Sequence, residues 1–205
     1  MKTRSQTRRR AVSILEWLRN FVRSKREPNA EDFLFASQID TATLNRMCPE
    51  GPNKCHSVAF FLAATRAGQA ILAHGNPSLG SQITAATLNQ VIEEGLYKGQ
   101  SLAFVLAGTS EGRAILADGN PSLGSQITAA TLNQVIEEGP RKGQSVAIFL
   151  AGNREGRAIL ARNNYLLGSQ ITAATLNQVV EEGPRKGLSV AICLAGIAGG
   201  RALLA

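Results

Sequence analysis

"LGSQITAATLNQVIEEG" occupies residues 79–95, recurs unchanged at 123–139 and returns at 167–183 with Val180 in place of one Ile, so the copies stand 44 residues apart. A fixed period of roughly 20–50 residues marks an array of small stacked units, and this spacing decides the fold class before any local pattern is weighed. Stepping back one period from Leu79 reaches Phe35, where "FASQIDTATLNRMCPEG" carries the same pattern with more drift. The units are therefore 35–78, 79–122, 123–166 and 167–205, the last five residues shorter than the others. The second and third share 33 of 44 residues. Such likeness points to recent internal duplication, and it makes the differences between copies more informative than their agreement.

Each unit reads as three short helices. Thr84 is placed as an N-cap, with Ile83 before it and Leu88 after it spaced as a hydrophobic staple. Asp40, Thr128 and Thr172 hold the same position in the other units. Leu88, Val91 and Ile92 fall at i, i+3 and i+4, which predicts one apolar helix face ended by Gly95. Pro52, Pro140 and Pro184 follow the matching glycine elsewhere. A second helix starts at Ser101 and runs through "LAFVLAG"; being apolar all round, it is expected to form the buried middle layer. The third, "SEGRAILADG", has Glu111 in its first turn and ends near Gly119. A link of about eight residues, "NPSLGSQI", leads onward. Little of the unit alternates apolar with polar residues, and Ala and Leu outnumber the types that favour sheets. The fold class is all-α, an α-solenoid of about four 44-residue repeats (35–205) behind a leader at 1–34.

With three helices in 44 residues the unit resembles armadillo-type repeats. The stretch "KGQSVAIFLAGNREGRAIL" is loosely similar to the helical part of an ankyrin repeat, although the "TPLH" turn is absent and the unit is longer than that family's roughly 33 residues. Near-identical helical repeats behind a short basic leader also resemble parts of secreted effectors of the Legionella type. That resemblance implies delivery into a host cell, while "GIAGGRALLA" departs from the acidic, polar tail of many such effectors.

The net charge of +7 resides in residues 1–27, which hold nine Lys or Arg and two Glu; the remaining 178 residues hold 13 basic and 13 acidic side chains. The array therefore has no net field to steer a polyanion. In "AVSILEWLRNFVRSKR", Val12, Leu15, Leu18 and Val22 share one face, flanked by Ile14, Trp17 and Phe21, while Arg19, Arg23 and Arg26 gather elsewhere. This basic amphipathic helix has several readings. It caps the first repeat, since the end of an array must be covered; it lies on an anionic membrane or in a partner's groove; or it serves nuclear targeting, nucleic-acid contact or an organelle presequence. Arg8, Arg9, Arg10, Arg19, Arg23 and Arg26 are its candidate anion-binding cations. No apolar run approaches the roughly 18–20 residues needed to cross a bilayer. Three cysteines, Cys48, Cys55 and Cys193, form no even framework, which suits a cytoplasmic or other reducing compartment.

Columns kept in every unit read as structural. Asn45, Asn89, Asn133 and Asn177 form one, Ser57, Ser101, Ser145 and Ser189 another, and both types tie down loop or helix-end backbone. Lys54, Lys98, Lys142 and Lys186 could line a groove, but each follows an acidic helix end, so an ion-pair seam between Glu93/Glu94 and Lys98 or Arg113 is the more economical reading. No His or nucleophile recurs beside the paired Glu, which argues against catalysis. Cys48, Cys55 and His56 form C-x6-C-H without the short paired spacing of a structural zinc site, and no cofactor is expected. Cys193 aligns with Phe61, Val105 and Phe149 as a small core residue.

Differences between units cluster at Leu96-Tyr97 against Pro140-Arg141, at Thr109-Ser110 against Asn153-Arg154 and Ile197-Ala198, and at Asp118-Gly119 against Arg162-Asn163. All lie at helix ends and turns, hence on one edge. The sequence therefore predicts a non-enzymatic helical-repeat scaffold for protein–protein interaction, with Tyr97, Arg141, Arg154, Arg162 and Arg185 as candidate contacts. The alternative is a nucleic-acid-binding repeat protein whose affinity comes from the basic leader. The last unit carries no polar capping helix, so self-association through it is also expected.

Overall fold

The side chains that start each helix explain why the pattern recurs in space. Asp40, Thr84, Thr128 and Thr172 each accept a bond from the backbone N–H three residues on, opening the first helices Thr41–Leu44, Ala85–Asn89, Ala129–Asn133 and Ala173–Asn177. Ser57, Ser101, Ser145 and Ser189 do the same for the second helices Val58–Ala63, Leu102–Ala107, Val146–Ala151 and Val190–Ala195. The third helices, Arg66–Ala73, Ser110–Ala117 and Arg154–Ala161, are capped by Thr65, Thr109 and Asn153. The Thr109-to-Asn153 difference is thus an exchange of one good cap for another. One further helix, Ala30–Ala36, precedes these, and the links carry 3-10 turns at Gly80–Gln82, Leu123–Gln126 and Leu167–Gln170. This computed structural model describes residues 16–17, 20–21, 26–48, 56–74, 78–119, 121–161 and 167–196. Among them there is no strand beyond isolated bridge pairs, the protein is all-α, and no helix is long and apolar enough to cross a membrane.

The first helix is shorter than its periodicity predicts. It stops at Asn89, not Gly95, and Gln90 is already extended at φ −63°, ψ 124°. Ile92 N–H donates to the Gln100 carbonyl at 2.9 Å and Gly99 N–H to the Ile92 carbonyl at 2.8 Å, closing a tight loop. Ile136 with Gln144 and Gly143, and Val180 with Leu188 and Gly187, repeat the arrangement. Gly95 and Gly99 adopt φ of 82° and 80°, a region that side chains disfavour, which is why both glycines stand in this loop. Leu88 and Ile92 are still buried together, because the extended segment folds back over the apolar face that a longer helix would have formed.

Within a unit the second and third helices pack side by side, and each also packs on its counterpart in the next unit. The approach is close enough that a Cβ on Gly112 would lie 2.2 Å from the Leu106 carbonyl oxygen. The second helices of the first three units form the core: Ala103, Phe104, Leu106 and Ala107 are buried, and so is every residue of Val146–Ala151, whereas in Val190–Ala195 only Val190 and Leu194 are buried.

At the N-terminal side, Trp17 stacks on Phe21 and Phe35 with ring centroids 5.2 and 5.0 Å apart. Its indole N–H donates to Asp32 Oδ1, and Phe33 meets His74 edge-on. Leader residues are therefore packed on helix Ala30–Ala36, which in turn lies on the third helix of the first unit.

Candidate interaction edge

Asn45, Asn89 and Asn133 each bond their own helix once and the next unit twice, in the same pattern. Asn89 Nδ2 donates to the Ala85 carbonyl of its own helix and, at 2.8 Å, to the Gln126 carbonyl of the next unit. Its Oδ1 accepts from Thr128 N–H at 2.9 Å. Asn45 bonds Gln82 and Thr84, and Asn133 bonds Gln170 and Thr172, in the same way. A residue whose two-headed amide both ends one helix and holds the start of the next must stay Asn, so this column is structural.

The ionic contacts also run between units. Lys98 Nζ lies 3.3 Å from Glu138 and Lys142 Nζ 2.7 Å from Glu181, each Glu belonging to the following unit. The in-unit pairing of Glu93/Glu94 with Lys98 expected from sequence is corrected accordingly, since the turn directs each Lys forward. Glu181 beside Lys142 raises the pKa of that ammonium above its ordinary value. On the other side of the units Arg66 meets Glu111 and Arg113 meets Glu155. The Ser110 hydroxyl, more than Arg66, holds the Glu111 carboxyl below its usual range.

Residues 97, 141 and 185 occupy equivalent positions, and the structure turns all three toward the preceding unit. Tyr97 packs edge-on against His56 and Phe60, with centroids 5.8 and 5.3 Å away. The Arg141 guanidinium lies 5.6 Å from the Phe104 ring centroid and 5.9 Å from that of Phe149. Arg185 lies 4.9 Å from the Phe149 centroid, reaches the Ile148 carbonyl, and fills the space beside Gly152 where a Cβ would stand. Burial pulls the Arg185 pKa below the ordinary guanidinium value. The same burial, outweighing the neighbouring Arg185 charge, pushes the Cys193 thiol up. Tyr97 and Arg185 are half-buried junction residues, whereas Arg141 and Arg154 are exposed.

Of the remaining candidates, Arg162 and the leader cations Arg8, Arg9, Arg10, Arg19 and Arg23 lie outside the described residues. Arg26 is engaged by Asp32, its Nη1 and Nη2 donating to the two carboxylate oxygens at 2.6 and 2.9 Å. His56, a third zinc ligand on spacing alone, is buried and stacked on Phe61, and Cys55 lies outside the described residues.

Sequence reasoning missed one recurring device. Gln69, Arg113 and Arg157 each reach back six residues to the final carbonyl of the second helix, at Ala63, Ala107 and Ala151. A Gln or Arg six positions after the last Ala of every second helix was the available signal. These side chains satisfy a helix C-terminus that is otherwise buried.

These geometries bring the varying positions of neighbouring units together. Arg141 sits beside Gly108, two residues before Ser110, and Arg185 beside Gly152, two residues before Arg154. Leu96, at the tip of the same turn as Tyr97, is 85% exposed. Comparison of the chain with family models, with curated proteins and with solved structures returned no match.

Proposed function

We propose that the units continue as an armadillo-like α-solenoid, and that the protein is a non-catalytic scaffold binding another protein along the edge formed by the turn tips and the starts of the third helices. One observation supports the reading above others. The differing side chains at 97, 141 and 185 and those at the starts of the third helices meet on that edge, while the Asn column that does not differ is engaged in holding the units together. Arrays change partners by altering edge residues over a constant core. Tyr97 and Arg185 set the shape of this edge from within, and exposed Leu96, Arg141 and Arg154 offer the contacts. Exposed cations beside an exposed Leu suit a partner that presents carboxylates around an apolar side chain.

The test is affinity capture from nuclease-treated lysate with the full chain and with a Leu96→Glu/Arg154→Glu variant. A discrete protein retained by the parent and lost by the variant, at unchanged thermal stability, supports the reading. Capture that ignores both substitutions, and falls with nuclease or with removal of residues 1–27, moves the function to the basic leader and a nucleic-acid partner.

A further inference from the structure

Four guanidiniums follow one another along the second and third units. Arg113 Nη1 donates to the Ala107 carbonyl at 3.1 Å, and Arg141 Nη1 stands 3.8 Å from where a Cβ on Gly108 would lie, so both end at the same peptide. Arg157 and Arg185 meet in the same way at Ala151 and Gly152. Phe149 links the two pairs, with the Arg141 and Arg185 guanidiniums 5.9 and 4.9 Å from its ring centroid. Burial pulls the Arg185 pKa down and the positive Arg113 adds to the effect, as cations this near each other should.

Little negative charge answers this row. Among the described residues Arg141, Arg157 and Arg185 form no ion pair. Glu155 lies 3.7 Å from Arg113 Nη2, beyond hydrogen-bond reach, with its own side chain 61% exposed. Arg113 is 9% exposed, yet its Nε has no hydrogen-bond partner. A guanidinium carries five N–H donors, and a helix-end carbonyl engages one of them.

The fold does not require these charges. In the first unit Gln69 stands at the place of Arg113 and Arg157, and Tyr97 at the place of Arg141 and Arg185. Gln69 Nε2 donates to the Ala63 carbonyl at 2.7 Å and its Oε1 accepts from the Thr109 hydroxyl, so a neutral amide closes the helix end. The Tyr97 ring covers Phe60 without a charge. The two positions change together, neutral with neutral and Arg with Arg. Repulsion within each Arg pair opposes folding, and an oxyanion held between the guanidiniums reverses that sign.

We infer that the Arg113/Arg141 and Arg157/Arg185 pairs are phosphate sites, each taking the phosphate of a phosphorylated side chain on the protein partner. The inference rests on the interaction edge and names the chemistry that edge takes. Carboxylates suit the isolated Arg154, but a phosphate monoester brings nearly two negative charges and three strong acceptor oxygens, which matches a pair of guanidiniums. The rings beside the row, Phe104 and Phe149, are 2% and 6% exposed, so neither offers a face on which a nucleic-acid base could stack.

NMR of the arginine Nε–Hε groups of the full chain, as inorganic phosphate replaces chloride at fixed ionic strength, tests it. The expected result is saturable shifts at Arg113, Arg141, Arg157 and Arg185. Arg185→Tyr copies the neutral residue of the first unit, so circular dichroism should be unchanged. The Arg157 response should then need more than about tenfold more phosphate, while Arg113 responds as before. Arg141→Tyr should do the converse, weakening the response at Arg113 and sparing Arg157. Shifts confined to the leader arginines, shifts that never saturate, or an Arg157 response indifferent to Arg185→Tyr overturn the proposal. Displacement of phosphate by an oligonucleotide and not by a phosphoserine peptide overturns it too. Phosphatase treatment of the lysate should abolish partner capture. Capture that survives phosphatase but is lost in Leu96→Glu/Arg154→Glu overturns this inference and leaves the edge standing, whereas capture indifferent to that variant overturns both.

Discussion

Two seams join the same pairs of units, and they behave differently. The Asn column makes the same two hydrogen bonds across the first, second and third junctions. The column at 97, 141 and 185 makes a different contact at each: Tyr97 on His56 and Phe60, Arg141 between Phe104 and Phe149, and Arg185 on Phe149 and a carbonyl. The first seam fixes the distance from one unit to the next with directional bonds that permit no substitute. The second accepts any flat group that covers a ring. In an array whose middle units are nearly identical, the variable seam also gives each junction its own fit, which disfavours pairing of the wrong neighbours.

The sharpest way to break this comparison is Asn89→Ala. It removes three bonds and leaves a carbonyl and an N–H of the next unit without their partner, so chemical denaturation should report a loss of about 2–3 kcal/mol. Asn45→Ala should cost the same. Asn177→Ala should change stability by no more than about 0.5 kcal/mol, because that residue bonds only its own helix among the described residues. Equal losses at all four positions would show that the column matters as a helix end and not as a seam.

Asp32 extends the comparison to the leader, where the junction is ionic. Burial pushes its pKa up, but the Arg26 guanidinium, Asn29 N–H and Trp17 indole N–H together hold the carboxyl below its ordinary value. A carboxyl depressed on folding stabilises the protein above its unfolded pKa of about 3.9, and that contribution fades as pH falls through the lower folded value. Asp32→Asn should therefore lower Tm at neutral pH and converge with the parent on acidification. The loss should be smaller than for Asn89→Ala, since Arg26 is 45% exposed and regains water. A gap that stays constant down to the acid limb would assign the effect to packing and not to charge.

At the variable seam Arg185→Ala should cost about 1 kcal/mol, the contribution of a partly desolvated cation on a ring. Arg185→Lys should recover only part of it, because an ammonium cannot lie flat on Phe149. Complete recovery by Lys would mean that charge alone mattered.

The cap residues were the most legible feature of the sequence. Thr84 and Ser101 and their counterparts each sit where a helix begins, because a short polar side chain before an apolar run satisfies a need that is entirely local, whereas Thr109, read only as a varying position, also proves to be a cap. The end of the first helix was not legible. Leu88, Val91 and Ile92 fit a helical face, yet Ile92 belongs to an extended segment bonded to Gln100, and spacing alone does not separate the two. The candidate edge was readable as a set of varying positions, but not the direction in which each points. Tyr97 and Arg185 look like surface residues in sequence and serve as packing between units, because a 44-residue period says which positions are equivalent and not which unit each one touches.

The ion pairs provide the smallest test and set a lower bound on what either seam contributes. Lys98 and Glu138 meet at 3.3 Å with side chains 57% and 71% exposed, so water and salt screen most of their attraction. Lys98→Ala should change stability by less than about 0.5 kcal/mol at physiological salt, and the difference should vanish in 1 M salt. The Lys column still recurs in every unit, and its pairing runs forward to the acidic turn of the next unit at two junctions. A cost as large as that of Asn89→Ala, surviving high salt, would put the Lys column beside the Asn column as a fixed seam. The distinction between a constant seam and a variable one would then have to be redrawn by direction across the array instead of by residue type.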